Sequence, residues 1–404
     1  MKKSATFCIL LMFLTTLSSC NGQPQKNSSS AIPSQSQELV GGGCDGCELM
    51  YVGMPKNIAA INTSEGWSEK GQKLLITGTV YKLGGKIPAP NVIIYYWQTD
   101  ANGYYSPVDG MDPRARRHGR LRGWVKTDEK GRYAIYTIRP APYPKDVMPA
   151  HIHTSIKEPY IADEYYLDEF VFDDDPLLLP AWKKNPPENR GGSGKLRVLI
   201  SDDLQIAEHN IVLGLNIPNY PEKPASGKQS GLEIGQDQPS FTPFHAWGPD
   251  KGSKTCPVCK YGRYHGIVYF VGNNPNWQEI KKWLTYLEQE SRNRSKYLKT
   301  YFVYGNNNGY SKDKRMAELE LVGKELNLEH LALTFVPSFS DNGSEINLNK
   351  LDPKAENTFI IYKYRTIIDK YVDLEPTTEN FFKLSETLDA STNDYFRLPI
   401  PQHN

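Results

Sequence analysis

The sequence lacks features that would each point to a particular class of protein. Beyond residue 20 it has no apolar run near the roughly 18 residues that a membrane-spanning helix needs. It has no excess of one charge, because 47 Lys and Arg are balanced by 46 Asp and Glu, which leaves a net charge of +1. A protein that binds nucleic acid through bulk charge is therefore excluded, and we predict no nucleic-acid partner. Cysteine is also scarce, with 6 in 404 residues.

Tyrosine, glycine and proline are plentiful instead. The chain contains 25 Tyr, 32 Gly and 29 Pro. Many turn-forming residues combined with many aromatic ones favour β-structure over a helical bundle. At roughly 150 residues per domain, the length predicts two or three domains.

The first twenty residues have the pattern of an export signal. Lys2 and Lys3 form a positive start, residues 7–14 form a short apolar run, and Leu17-Ser18-Ser19-Cys20 has the form of a lipobox. The pattern resembles that of bacterial lipoprotein signal peptides. The alternative is an ordinary secretory signal in which the cysteine has no role.

The lipoprotein pattern predicts how the chain is processed and located. We expect residues 1–19 to be a signal peptide and Cys20 to carry the lipid that anchors the protein to a membrane. Residues 20–40 are rich in Ser, Gln, Pro and Asn and are expected to form a flexible tether. The predicted location is the bacterial cell envelope, and Asn21 favours the outer membrane.

The four remaining envelope cysteines form two C-x-x-C pairs. In an oxidising compartment, Cys44 with Cys47 and Cys256 with Cys259 are predicted to form disulfides. We interpret the first pair as a structural clip, whereas the second is either structural or redox-active. A zinc site shared by both pairs is disfavoured because they lie more than 200 residues apart.

Residues 41–220 have the pattern of an antiparallel β-sandwich. Short alternating or β-branched segments recur between Gly-rich turns. The turn at Glu129-Lys130-Gly131 further predicts that the segments on either side of it pair as a hairpin. The predicted strands are residues 73–83, 92–97, 125–128, 132–138, 196–201 and 211–215.

His151 and His153 add a possible metal site to this domain. In a strand, side chains two residues apart lie on the same face, so both imidazoles would point the same way. Two imidazoles on one face make half of a metal site. On its own, such a pair can also be a structural accident.

Three sequence blocks that include this pair resemble one enzyme family, and a further matching segment, Phe172–Leu177, follows the pair. The blocks are Trp97–Ser106, Arg139–Pro144 and Pro149–His153. In this order they resemble the intradiol ring-cleavage dioxygenases, the family of catechol 1,2-dioxygenase and protocatechuate 3,4-dioxygenase, over about residues 70–180. The resemblance implies a β-sandwich that holds Fe(III) without an organic cofactor and uses O2 to cleave a small aromatic diol.

The resemblance also implies roles for individual residues. Tyr105, Tyr143, His151 and His153 match the four iron ligands of the family, and Tyr104 is the alternative to Tyr105. Tyr143 matches the tyrosine that leaves the metal when substrate binds and then serves as a base. Phenolates are hard anionic donors, which suits Fe(III).

Two positions depart from the family pattern and put activity or substrate in doubt. Met148 stands where the family usually has an Arg, and Glu169 stands where it often has a Gln. We expect Arg122 to replace the missing guanidinium as a catalytic residue. The alternative is that Arg122 and His118 belong only to a loop.

A second domain is predicted over residues 244–394, after a Pro- and Gly-rich linker at 221–243. Its order of elements, β-α-β-α-β-β-α, resembles the thioredoxin fold, which makes the chain a multidomain protein with an α/β second part. Cys256 and Cys259 support that resemblance, but they precede the strand at residues 267–271 instead of following it. The other segments are helices at 277–290, 312–326 and 377–388 and strands at 298–304, 358–362 and 366–372.

Three functions remain open from the sequence. The first is oxidative cleavage of an aromatic diol. The second is a binding module on the same scaffold with a metal site that no longer works. The third is thiol–disulfide exchange at Cys256 and Cys259, with the sandwich as a spacer. The oligomeric state is not predicted.

Overall fold

The computed structural model of the protein describes residues 38–222 and 227–401. The predicted signal peptide, Cys20 and most of the predicted tether lie outside these residues. Eighteen strands in three sheets, five α-helices and six short 3-10 helices make up the regular structure of the described part. Among the described residues, no helix combines the length and the apolar character required to cross a membrane.

The first two sheets are formed by residues 61–212. One has the order β1-β5-β2-β11-β10, with β12 also on β2, and the other has the order β4-β3-β6-β8-β9, with β7 also on β6. The strands are β1 Ile61–Thr63, β2 Lys73–Tyr81, β3 Ile93–Gln98, β4 Arg122–Lys126, β5 Arg132–Ile138, β6 His151–Lys157, β7 Tyr165–Tyr166, β8 Phe170–Phe172, β9 Lys195–Leu196, β10 Leu199–Ser201, β11 Leu204–Glu208 and β12 Ile211–Val212. Helix α1, Leu178–Lys184, follows β8.

The alternation of side chains along β3 and β6 separates the core from a second, outer face. Ile94 and Tyr96 of β3 join Ile152 and Ile156 of β6 in the core shared by the two sheets. The intervening side chains lie on the other face because the period of a strand is two. His151 and His153 therefore lie outside the main core of the sandwich.

Two predictions about this domain are wrong. The sandwich is not purely antiparallel, because β1 pairs with β5, β11 and β12 pair with β2, and β8 pairs with β9 in parallel. The predicted hairpin at Gly131 does not form either, since β4 pairs with β3 in one sheet and β5 pairs with β2 in the other. Gly131 does reverse the chain, with a φ of 71°, but the reversal carries it from one sheet to the facing one. A turn signal specifies a change of direction and not the partner strand.

The third sheet is formed by residues 244–372. Its order is β13-β16-β15-β14-β17-β18, in which β14, β15 and β16 are parallel and the other neighbouring strands pair antiparallel. The elements are β13 Phe244–Trp247, α2 Pro257–Tyr261, β14 His265–Val271, α3 Trp277–Asn293, β15 Leu298–Tyr304, α4 Lys312–Glu325, β16 Ala332–Phe335, β17 Thr358–Lys363, β18 Thr366–Val372 and α5 Thr378–Ser391.

This part contains the predicted helices and strands and two further strands. Helix α3 buries Ile280, Trp283, Leu284 and Leu287 against the sheet, as their helical spacing predicts. The four-residue strands β13 and β16 were not predicted, because they are too short to show a clear period. The thioredoxin-like assignment rests on the order of elements and on the Cys256–Cys259 pair, and it stays a prediction.

Residues 227–243 do not act as a free spacer. The amide of Ser193 donates to the carbonyl of Gly235 (2.8 Å), and the amide of Gly235 donates to the carbonyl of Ile367 (2.9 Å). The segment is thus hydrogen-bonded to the sandwich on one side and to the third sheet on the other. Residues beyond 394 also return to the sandwich, where the amide of Ile200 donates to the carbonyl of Pro399 (2.9 Å). Residues from Glu38 onward accordingly form one compact unit.

Candidate metal centre

A tight turn after β3 places the first tyrosine of the centre. The carboxylate of Asp100 accepts hydrogen bonds from the amides of Asn102 (2.8 Å) and Tyr104 (3.2 Å). Gly103 has a φ of 85°, and a Cβ there would collide with the carbonyl oxygen of Pro142. Only glycine allows this close approach. The turn therefore brings Tyr105 next to the Pro142–Pro144 segment.

Four donor atoms meet in a closed ring. The Tyr105 hydroxyl lies 2.8 Å from the Tyr143 hydroxyl, which lies 3.1 Å from His151 Nε2. His151 Nε2 is 3.2 Å from His153 Nε2, which is 2.9 Å from the Tyr105 hydroxyl. Tyr104 is not part of the ring, and 58% of it is exposed to solvent. The structure thus brings together the four residues that the sequence selects as ligands.

The size of the ring fits a bound metal ion. Two ligands bonded to an ion at about 2.0–2.1 Å, and at right angles to one another, are themselves about 2.9 Å apart. The four neighbouring separations, 2.8 to 3.2 Å, are close to that value. Two phenols and two imidazoles are also a hard donor set suited to Fe(III). The residues present therefore fit the ion that the family resemblance implies.

Both imidazoles are oriented by a hydrogen bond at their other nitrogen. His151 Nδ1 lies 2.8 Å from the carbonyl oxygen of Pro149, so it carries the proton and donates. His153 Nδ1 lies 2.8 Å from the hydroxyl of Tyr166. Such partners fix the ring orientation of metal-binding histidines. Each histidine thereby directs Nε2 at the ring of donors.

An aromatic stack supports His153 from the side. The indole of Trp97 lies between the imidazoles of His153 and His118, with ring centroids 4.9 Å and 4.1 Å away and interplanar angles of 14° and 3°. His118 Nδ1 is in turn 2.8 Å from the hydroxyl of Tyr95. Since Trp97 is directly opposite His153 in the β3–β6 pairing, the register of the sheet sets this stack.

Burial favours the uncharged forms of Tyr105, Tyr143 and His153. It raises the pKa of Tyr105, with a further contribution from the hydrogen bond to Tyr143, and it raises the pKa of Tyr143. It also lowers the pKa of His153 well below the usual value. Neutral imidazoles are ready to bind a metal, whereas each phenol must lose its proton to become a ligand, and a nearby cation promotes that loss.

An ion pair and backbone hydrogen bonds hold the sequence blocks of the site together. The guanidinium of Arg139 donates to both carboxylate oxygens of Asp174, at 2.6 and 2.7 Å. The carboxylate of Asp175 accepts from the amides of Ala150 and Leu177, both at 2.8 Å. The Phe172–Leu177 block therefore anchors the segment that carries Tyr143 and the start of the strand that carries the histidines.

Arg122 does not have the predicted catalytic position. Its guanidinium donates to the hydroxyl of Tyr95 (3.0 Å) and to the carbonyl oxygens of Leu49 (3.4 Å) and Val52. It is not among the residues that line the cavity beside the donor ring. The expectation that it replaces the family's guanidinium is therefore wrong, because the carbonyl groups of the preceding segment take up its donors.

The disulfide of Cys44 and Cys47 closes a small loop at the site. Gly43, Cys44 and Asp45 line a cavity of about 430 Å³ together with Tyr105, Tyr143 and His153. Arg117 holds the loop through the carboxylate of Asp45, at 3.0 Å. This pair therefore forms part of a wall of the site.

The other cysteine pair and the two departures from the family pattern have separate locations. Cys256 and Cys259 form a disulfide at the start of the short helix α2 and do not line the cavity.

Met148 and Glu169 both line a second cavity next to the first, and Glu169 lines both of them. One Glu169 carboxylate oxygen lies 3.8 Å from His153 Nδ1.

The segment that carries this site is similar to known proteins. Residues 53–183 match the family model described as Dioxygenase. The predicted family resemblance is confirmed. The dioxygenase-like segment contains all four ring residues together with Trp97 and Tyr166.

Individual relatives match the dioxygenase-like segment only in part. The catechol 1,2-dioxygenase of Acinetobacter baylyi is 31% identical over 96 residues, which cover 24% of this chain and 30% of that protein. A chlorocatechol 1,2-dioxygenase from a Pseudomonas species is 29% identical over 135 residues, 29% of this chain and 51% of that protein. The chain thus spans about half or less of these relatives. A solved dioxygenase domain from a Streptomyces species is 20% identical, with 39% of this chain and 90% of that one covered and a TM-score of 0.31.

Sequence reasoning missed several residues around the dioxygenase-like site. Tyr166, which orients His153, and Arg190, which lines both cavities, were not predicted. Tyr166 lies in the two-residue strand β7, whose pairing with β6 no periodic pattern reveals. Trp97 lies in a block that was singled out, but only the register of β3 and β6 shows that it stacks on His153.

Proposed function

We propose that this protein is a ferric-iron-dependent intradiol dioxygenase that cleaves a catechol-type aromatic diol with O2. One observation carries the proposal, namely the closed ring of four donors made by Tyr105, Tyr143, His151 and His153. The matched segment of the chain and the catechol dioxygenases among its relatives support it. These four residues would hold the ferric ion, which would supply the Lewis acidity that activates a catechol towards O2.

The chain's own residues orient the reactants and move protons. Tyr143 is suited to accept a proton from a catechol hydroxyl, because burial raises its pKa and makes its phenolate a strong base. The stack of Trp97 on His153 holds that imidazole in its orientation. The bond between the two hydroxylated carbons breaks and both atoms of O2 enter the product. Each of those carbons then becomes a carboxyl group, so no further oxidant or reductant is needed.

A visible absorption spectrum with a parallel iron assay tests the proposal. We expect about one iron per chain and a broad band between about 400 and 600 nm, from charge transfer between tyrosinate and Fe(III). The band should weaken and shift in Tyr143→Phe. Tyr104→Phe is the matched control, because Tyr104 is the exposed neighbour outside the ring.

Turnover is then measured as O2 uptake with catechol. We expect one O2 consumed per catechol cleaved, and loss of uptake in Tyr143→Phe. A protein that stays colourless and free of iron after reconstitution would overturn the proposal and leave the binding-module hypothesis.

We also propose that the protein is exported and anchored through a lipid on Cys20. The support is the Leu17–Cys20 pattern together with the two disulfides, which suit an oxidising compartment. Mass spectrometry of the mature amino terminus tests this. A lipidated Cys20 is the expected first residue, and Cys20→Ser should release the protein from membranes. An uncleaved start at Met1 would contradict the proposal.

A further inference from the structure

A second cavity of about 410 Å³ adjoins the cavity at the donor ring. The two share Tyr166, Glu169 and Arg190 as lining residues. We call the second one the side cavity. His151 lines the side cavity, whereas His153 lines the cavity at the donor ring, so the ligand set lies at the boundary between the two. A diol bound at the ring could therefore extend a substituent into the side cavity.

The walls of the side cavity are largely aromatic and apolar. Trp182 of helix α1 lines it, together with Ala181 of the same helix and the rings of three prolines. The amine of Lys195 lies 4.6 Å from the centre of the Trp182 ring and is itself paired with Asp237 (3.3 Å). These contacts support the indole from outside. Flat apolar walls with a few polar groups are typical of sites that bind ring-shaped ligands. The prolines are Pro149, Pro186 and Pro187.

The polar groups of the side cavity include hydrogen-bond acceptors. Asp168 and Glu169 line it side by side, and burial raises the pKa of Asp168 to about 6. Among the described residues, neither carboxylate forms an ion pair with a lysine or an arginine. Such acceptors can receive hydroxyl groups of a ligand.

The two departures from the family pattern have the same location. Met148 and Glu169 both line the side cavity. A methionine in place of an arginine removes a positive charge from the wall and makes it apolar and adaptable. A glutamate in place of a glutamine leaves a carboxylate there that only accepts hydrogen bonds. The same wall thus offers an apolar surface from Met148 and an acceptor for hydroxyl groups from Glu169.

We propose that the substrate is a catechol that carries a second, hydroxylated aromatic ring, and that this ring occupies the side cavity. It would pack against Trp182 and donate hydrogen bonds to Glu169 or Asp168. This inference rests on the proposed function, since it takes the donor ring as the place where the catechol binds. It predicts that the protein selects aryl-substituted catechols over catechol itself.

Calorimetric titration of the iron-loaded full chain without O2 tests the inference. The three probes are catechol, 4-phenylcatechol, and a 4-phenylcatechol that carries a hydroxyl on the phenyl ring. We expect both aryl probes to bind more tightly than catechol, the hydroxylated one most tightly. In Trp182→Ala the advantage over catechol should fall by roughly threefold to tenfold, while binding of catechol is unchanged.

Two more variants make this test specific. Ala181→Phe fills the side cavity and should abolish the advantage of the aryl probes. Leu179→Ala is the matched control, because Leu179 lies in the same helix but is 74% exposed and outside the cavity.

The possible outcomes separate the inference from the proposed function. Equal binding of all three probes, with cleavage of catechol, overturns the side-cavity assignment and leaves the dioxygenase function standing. Aryl probes that bind in a Trp182-dependent manner without being cleaved support the assignment and overturn the function. A catechol with an aminoethyl group that binds more tightly than the aryl probes overturns the choice of an uncharged ring. Absence of binding by every probe overturns both.

Discussion

At the scale of single residues, the centre depends on groups one step away from the donors. Tyr166 and the carbonyl of Pro149 fix the two imidazoles, and Trp97 supports one of them from the side. The motifs show which side chains are the donors, because their types and order are distinctive. They do not show what holds those donors in place, since that depends on strand pairing.

Replacing Tyr166 by Phe should weaken iron binding without unfolding the protein. The change removes the hydroxyl 2.8 Å from His153 Nδ1 and keeps the ring. Loss of such a partner typically lowers metal affinity by about 10- to 100-fold. Iron affinity is measured by competition with a chelator. Tyr160→Phe is the control, since Tyr160 is 98% exposed, and equal affinities in the two variants would contradict the role of Tyr166.

Tyr105 should be nitrated more slowly than its exposed neighbour Tyr104. Reaction of tyrosine requires access and ionisation, and burial raises the pKa of Tyr105. We therefore expect tetranitromethane to modify Tyr104 well before Tyr105 at pH 8. Peptide mapping by mass spectrometry reads this out. Faster nitration of Tyr105 would mean that the ring of donors is more open than the structure describes.

At the scale of elements, the sequence predicts regular segments well and their partners poorly. The predicted strand at residues 132–138 is β5 to the residue, because it has both a period and a clear turn before it. Its predicted pairing with β4 is wrong, since the partner is chosen by packing of two sheets. Arg122 illustrates the same limit, because carbonyl groups distant in sequence determine where its guanidinium binds.

Opening the Cys44–Cys47 loop should affect the site more than the stability of the chain. A disulfide that closes so short a loop contributes only about 2 kcal/mol in the chain-entropy account. The loop lines the cavity at the donor ring, so replacing both cysteines by Ser should weaken catechol binding. The double serine variant of Cys256 and Cys259 is the control, since it opens a loop of equal length that does not line the cavity. Equal binding in both variants would show that the first loop is only a clip.

At the scale of the whole molecule, the sandwich and the third sheet should unfold together. Residues from Glu38 onward form one compact unit. Asp237 links the two parts, because its backbone pairs with Thr366 of β18 and its carboxylate accepts from Arg197 at 2.7 Å and Lys195 at 3.3 Å in the sandwich. We expect a single calorimetric transition and a loss of about 2 kcal/mol in Asp237→Asn. Asp203→Asn, in an exposed turn, is the control. Two separate transitions would contradict the shared unit.

Acid should destabilise the whole molecule through its buried histidines. Burial lowers the pKa of His265 to about 3 and that of His209 to about 4, whereas the unfolded value is 6.5. Between these limits the unfolded chain binds more protons, so the free energy of unfolding is highest above pH 6.5 and falls as the pH decreases towards 3. Each histidine should contribute a slope of up to about 1.4 kcal/mol per pH unit. Urea unfolding of His265→Gln should show a shallower fall between pH 6.5 and 4.5 than the unmodified chain, and parallel curves would mean that His265 is already charged in the folded protein.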